Sequence, residues 1–146
     1  MTAIHHIKSV PVLRGLSADE ARVLGELAST VELMAGTEVI TPPGIVLIML
    51  GGEVNCFIRD AADQKFLLST LSRGDVVGEL SFLVPSGGND QKVELQVKAP
   101  ASCLQIDSSA FFEIVCRNPL ASEELLKMLA ARLSAMNRFA IQAVNI

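Results

Sequence analysis

The chain lacks the long apolar stretch that a membrane span needs. Half of its residues are hydrophobic and its mean hydropathy is +0.43, yet the purest aliphatic run, Ile45 to Leu50, is far too short to cross a bilayer. The N-terminus has no long apolar stretch behind a basic start, so nothing in it argues for export. Cysteine is scarce as well. Cys56, Cys103 and Cys116 are odd in number, widely spaced and free of any C-x-x-C pair, and read as reduced core thiols of a cytoplasmic protein. Three cysteines cannot by themselves ligate a four-cysteine iron–sulfur cluster. Positive charge is short too: 12 Lys+Arg stand against 16 Asp+Glu, a formal charge of −4. A nucleic-acid module is expected to carry a basic stripe that displaces counterions from phosphates, and none is visible. Lys127, Arg132 and Arg138 on the last expected helix read as its solvated face. Catalytic signatures are missing in the same way, with no G-x-S-x-G elbow, no P-loop and no paired Cys/His nucleophile, so the expectation is a protein that is not an enzyme.

What is present begins with helix punctuation. Ser17-Ala18-Asp19-Glu20 fits a capping box, with Ser17 as N-cap and Glu20 reaching back from the third helical position. The helix is expected to run to about Ala28, with Ala21, Leu24, Leu27 and Ala28 on its buried face. From Val31 the texture changes to short β-rich runs broken by Gly, Pro and Asp: 31–35, 37–41, 45–50, 53–59 and 65–71. Such a series predicts an antiparallel sandwich or barrel. The run from Ile45 to Leu50 is what a strand buried on both faces carries, covered by the C-terminal helix or by a partner subunit.

The chain is organised around Leu71 to Leu83. A turn at Ser72-Arg73-Gly74 leads through two valines to Gly78-Glu79, read as the start of a short helical turn. Unpaired N–H groups at a helix start attract anions, and a glycine there lets a ligand approach the main chain. Glu79 cannot hold phosphate but can accept hydrogen bonds from ribose hydroxyls. The competing reading is purely structural: Gly78 permits a tight turn and Glu79 caps it. Ser81 likewise suits either a phosphate oxygen or the interior of the sandwich.

The loop 84–90 precedes a strand expected from Gln91 to Ala99. Asp107 or Ser108 then caps a helix bearing Phe111, Phe112, Ile114 and Val115, and Asn118-Pro119 restarts the chain as N-cap and first helical residue. The last helix is expected from about Leu120 to Ala143. Leu125, Leu129, Leu133, Met136, Ala140 and Val144 form a stripe on it, widened by Leu126, Ala130 and Phe139.

The order Gly74-Asp75, Gly78-Glu79-Leu80, Val97-Lys98-Ala99, Leu104-Gln105-Ile106-Asp107 and Phe111-Phe112 resembles the cyclic-nucleotide-binding domain family. That family includes CRP/FNR-type regulators and the regulatory subunits of cyclic-nucleotide-dependent kinases. Val12-Leu13-Arg14-Gly15-Leu16-Ser17 resembles its first turn and Gly51-Gly52-Glu53-Val54 its mid-domain turn, so the likeness covers nearly the whole chain. The resemblance implies a mainly β fold with flanking helices: a double-stranded β-helix, or jelly roll, with an N-terminal helix and a long C-terminal helix. The expected division is an N-terminal helical segment at 1–30, the jelly roll at 31–107, and C-terminal helices including a dimer helix at 108–146.

The resemblance also implies a ligand site, with Gly78, Glu79, Leu80, Ser81 and Lys92 as its candidate residues. Alignment on Val97-Lys98-Ala99 puts Val93 where the family holds the cyclic phosphate with an arginine. Lys92, next door, is expected on the opposite face of the strand and offers a point charge without arginine's fork. Losing such a charge-assisted bond costs about 1.5–3 kcal/mol, or one to two decades of affinity. The segment after Pro42-Pro43-Gly44 is shorter than the family's, which trims one wall of the pocket. A cupin would share the jelly roll, but both histidines, His5 and His6, precede the first strand, so a metal site is not expected.

Two functions stay open. One is a sensory module taking a small ligand, a cyclic nucleotide or one not yet identified, either as a signalling protein or as the sensor part of a CRP/FNR-type regulator. The other, favoured by Val93, is a module with lost or altered cyclic-nucleotide binding that works through dimerisation and an unidentified protein partner. A homodimer is expected through Leu129, Leu133, Met136, Phe139, Ala140 and Val144. With no helix-turn-helix after the last helix, this chain alone is expected not to bind DNA, and no membrane contact is expected.

Overall fold

The computed structural model describes residues 7–40, 44–59, 62–78 and 93–144, and at 58, 68, 93 and 135–144 it describes the backbone alone. A 3-10 turn at Pro11–Leu13 leads into helix α1, Ala18–Leu27. The Ser17 hydroxyl accepts the Glu20 N–H at 3.1 Å and the Glu20 carboxylate accepts the Ser17 N–H at 2.8 Å, which closes the capping box. Ala21 and Leu24 are buried as their spacing predicts, whereas Leu27 is 53% exposed because it lies where the helix ends and no neighbour covers it.

Six strands follow among the described residues: β1 Ser29–Leu33, β2 Glu38–Ile40, β3 Ile45–Arg59, β4 Lys65–Leu71, β5 Val76–Val77 and β6 Val93–Asp107. All pairings are antiparallel: β3 lies between β6 and β4, β1 and β2 pair along β6, and β5 pairs with β3. Two helices complete the described chain, α2 at Ser108–Arg117 and α3 at Pro119–Val144.

The two runs expected at 45–50 and 53–59 are one continuous strand, so Gly51-Gly52 is a bend rather than a turn. Pairing with β6 shifts register between Met49 and Val54, the mark of a bulge that redirects a strand. At Gly52, with φ +90°, a Cβ would lie 2.4 Å from the Pro100 carbonyl oxygen. Pro100 cannot donate to a ladder, so the proline and the glycine meet where pairing is interrupted. Both long strands continue through this bend, and each therefore serves both halves of the jelly roll.

Strand alternation divides the core in two. Val46 and Ile48 face a cluster with Ile7, Leu13, Leu24, Phe111, Phe112 and Leu125. Leu47 and Met49 face the sandwich interior with Val54, Leu71, Leu95 and Val97. The Ile45–Leu50 run is thus buried on both faces inside one chain, with the helices covering one side, and needs no partner subunit. Among the cysteines, Cys56 and Cys103 are buried but Cys116 is exposed, which corrects its reading as a core thiol. Burial, with the nearby Glu32 charge adding to it, pushes the Cys103 thiol up to about 11.

The helical layer is tied by one side chain. Asn118 caps α3 by accepting the Ala121 N–H at 3.0 Å, and its amide donates to the Gly15 carbonyl at 3.0 Å and to the Glu20 carboxylate at 2.9 Å. Asp107 caps α2 through the Ala110 N–H at 3.2 Å. Among the described residues no helix is long and apolar enough to cross a membrane.

Candidate functional site

The turn before β5 is locked onto β3. Gly74, at φ +93°, donates its N–H to the Met49 carbonyl at 2.8 Å, and the Met49 N–H reaches the Asp75 carbonyl at 2.8 Å. The Asp75 carboxylate accepts the Ser72 N–H at 2.8 Å, closing the turn from within. Val76 and Val77 then pair with Ile48 and Leu47 and are both buried, Val76 toward the helices and Val77 toward the sandwich interior.

Gly78 follows at φ +107°, where a Cβ would fall 2.2 Å from the Ile45 carbonyl oxygen. That close approach to β3 requires glycine whether or not a ligand binds. Glu79, Leu80, Ser81 and Lys92 lie outside the described residues, as do His5 and His6 and the loop 84–90. Strand β6 is described from Val93, which pairs with Ile58. Its neighbour Glu94 accepts a hydrogen bond from Arg59 at 2.8 Å, and Asp63 lies 3.6 Å from the same guanidinium. Hydrogen bonding to Glu94 holds Arg59 more firmly charged than usual. That cation, one strand away from the start of β6, is already engaged by carboxylates.

On the helical side, a cavity of about 240 Å³ opens between α3 and the β4–β5 connection. Ser69, Thr70, Leu71 and Asp75 form its strand wall, and Met128, Ala131 and Arg132 its helix wall. Arg132 is half-buried, and its guanidinium donates to the Val76 carbonyl. This corrects its reading as part of a solvated face. Lys127 fits that reading, being 63% exposed beside Glu123 and Glu124, and the side chain of Arg138 lies outside the description. The signal for Arg132 was its spacing: Leu125, Met128 and Arg132 follow one another at three and four residues on the face that meets the core. The expected dimer stripe is split in the structure. Leu129 packs against the helical core, whereas Leu133 is 58% and Leu126 67% exposed. Met136, Phe139, Ala140 and Val144 lie on the helical backbone, with side chains outside the description.

No protein-family model matches the chain. Over 127 residues it is 28% identical to Glutaminase 1 of Bradyrhizobium diazoefficiens, a match covering 85% of this chain but 19% of that protein. The chain therefore corresponds to about a fifth of that relative's length. Among solved structures it is similar to the regulatory subunit of a cAMP-independent protein kinase A from Trypanosoma cruzi bound to guanosine. The TM-score is 0.72 at 21% identity, over 99% of this chain and 50% of that one. It is also similar to the sensor domain of the transcriptional regulator DNR from Pseudomonas aeruginosa, with a TM-score of 0.70 at 17% identity, over 89% and 92% of the two chains. The chain has the fold of the cyclic-nucleotide-binding domain, the jelly roll with flanking helices that the resemblance implies.

Proposed function

We propose that the chain is a cytoplasmic regulatory or sensor module in which cyclic-nucleotide binding is lost or altered, and that it acts by homodimerisation and contact with a protein partner rather than by catalysis. The observation that carries this reading is Val93. Aligned on Val97-Lys98-Ala99, it stands where the resemblance puts the family's phosphate-binding arginine, and Arg59 on the adjacent strand is engaged by Glu94 and Asp63. Binding a cyclic phosphate without that fork forfeits about one to two decades of affinity.

The division at 1–30, 31–107 and 108–146 serves this role, with the last segment as output. Helix α3, at 26 residues, is on the order of 39 Å long. Leu126 and Leu133, seven residues apart and both exposed, mark a heptad seam that a second copy would bury. Each leucine so buried contributes about 1.5–3 kcal/mol. A regulatory module attached to a larger enzyme is consistent with a match that spans 19% of Glutaminase 1. Neither DNA nor membrane is a partner of this chain in our reading.

A second reading has its own support. The cavity beside Arg132 is lined by the polar residues Ser69, Thr70 and Asp75 and by Leu71, Met128 and Ala131, a mixed lining that suits a small neutral ring bearing hydroxyls and needs no phosphate clamp. The trypanosomal neighbour is described as cAMP-independent and bound to guanosine. Calorimetry with cyclic AMP, cyclic GMP and guanosine separates the readings. Neither cyclic nucleotide is expected to give heat at high micromolar concentration. Heat from guanosine alone would establish the second reading, and micromolar cyclic AMP binding abolished by Glu79→Ala would overturn both.

A further inference from the structure

We infer that Arg132 is the positioning residue that links the β5–Gly78 segment to helix α3, so that a displacement of either moves the other. The inference rests on reading the chain as a regulatory module, and three observations carry it.

The first is the carbonyl that Arg132 meets. Strand β5 has two residues and, among the described residues, pairs only with β3. Hydrogen-bonding groups alternate along such a pair. Asp75 spends its carbonyl on the Met49 N–H, so the Val76 carbonyl, one residue on, points off the edge of the sheet. A main-chain acceptor at a half-buried edge needs a donor. Arg132 supplies one from another element 56 residues away.

The second is where Arg132 stands on its helix. Ala121 and Leu125 are buried, and Met128 and Leu129 pack on the helical core. Beyond Arg132, Leu133 and Ser134 are exposed. Arg132 is therefore the last described side chain through which α3 meets the jelly roll.

The third is the cavity. Its strand wall includes Asp75, adjoining the acceptor Val76, and its helix wall includes Arg132 itself. The hydrogen bond thus runs from the cavity's helix wall to the residue that follows Asp75 of its strand wall. Two residues after Val76 comes Gly78, wedged against the Ile45 carbonyl. A shift of the Gly78 segment is passed through a short, buried strand to the Val76 carbonyl and from there to α3. Coupling of this kind is reciprocal.

Hydrogen exchange on the intact, ligand-free chain tests this, comparing Arg132→Met, Arg132→Lys and the exposed control Ser134→Ala. Methionine keeps most of the apolar stem and removes the donors. Arg132→Met is expected to raise exchange about ten- to a hundred-fold in two segments together, 130–144 and 74–78, the range set by loss of one charged hydrogen bond. The amides of β3 and β6 should stay within about twofold of wild type, Arg132→Lys should fall between the two, and Ser134→Ala should change nothing. Loss of protection in α3 alone, uniform loss in β3 and β6, or no change in either segment would each overturn the inference. Because no ligand is present, its failure is distinct from failure of the proposed function, which the calorimetry decides.

Discussion

Replacing Gly78 by alanine separates a glycine required by the fold from one kept for a ligand. At φ +107° an L-residue is held outside its allowed regions, at a cost of about 1–2 kcal/mol. The added methyl also falls 2.2 Å from the Ile45 carbonyl oxygen and 3.2 Å from the Val46 Cα. Both are main-chain atoms, and they belong to β3, which pairs with β6 along most of its length. Relief therefore requires β5 to lift away from β3, an overpacking penalty of about 1–3 kcal/mol. Together the two terms destabilise the variant by roughly 2–5 kcal/mol. For a domain of this size that is a fall in Tm of about 5–15 °C. Gly44→Ala is the control: φ is +80° there, but nothing lies within 4 Å of the added Cβ, so only the conformational cost of about 1–2 kcal/mol applies. Differential scanning calorimetry and urea unfolding of the two variants, in the absence of ligand, measure the difference. If Gly78→Ala melts no lower than Gly44→Ala, the contact with β3 is not what demands glycine.

Three more outcomes are expected. Val93→Arg should restore about one to two decades of affinity for cyclic AMP, so that calorimetry detects heat at concentrations where the wild type gives none; a variant as silent as the wild type would mean that the missing arginine is not what disables the site. Leu133→Glu combined with Met136→Glu should shift the chain from dimer to monomer in sedimentation velocity, and an intact dimer would place the interface elsewhere. Glu20 titrates below its usual value of 4.5 because its carboxylate accepts the Ser17 N–H first and the Asn118 amide second. The unfolded chain then takes up the proton before the folded one as pH falls, so this stabilisation is complete above 4.5 and is lost as pH drops through the lower, folded-state value. The stability gap between wild type and Glu20→Gln, from urea unfolding, should accordingly be widest at neutral pH and close in acid; a gap independent of pH would refute the linkage.

Elements whose cause is local were legible in the sequence. The Ser17–Glu20 box, the Asp107 and Asn118 caps and the proline after Asn118 act over three or four residues, and the structure contains each of them. Periodicity also foretold that Ile45 to Leu50 is buried on both faces, since a continuous apolar run leaves neither face for water. The order of motifs along the chain was enough to indicate the jelly roll.

Only the tertiary structure decided how distant groups meet. Gly51-Gly52 carries the composition of a turn, and the continuous ladder to β6 makes it a bend within one strand. Gly78 suited a ligand-binding turn equally well, until the Ile45 carbonyl, 33 positions earlier in the sequence, was found against it. Arg132 had the look of any cation on a long helix because its partner, the Val76 carbonyl, is a main-chain atom that no residue type announces. Leu129 and Leu133 share one stripe, yet the first packs on the core and the second faces water. A helical period states which side chains share a face; where the neighbouring layer stops under that face depends on packing between elements, which no local spacing encodes.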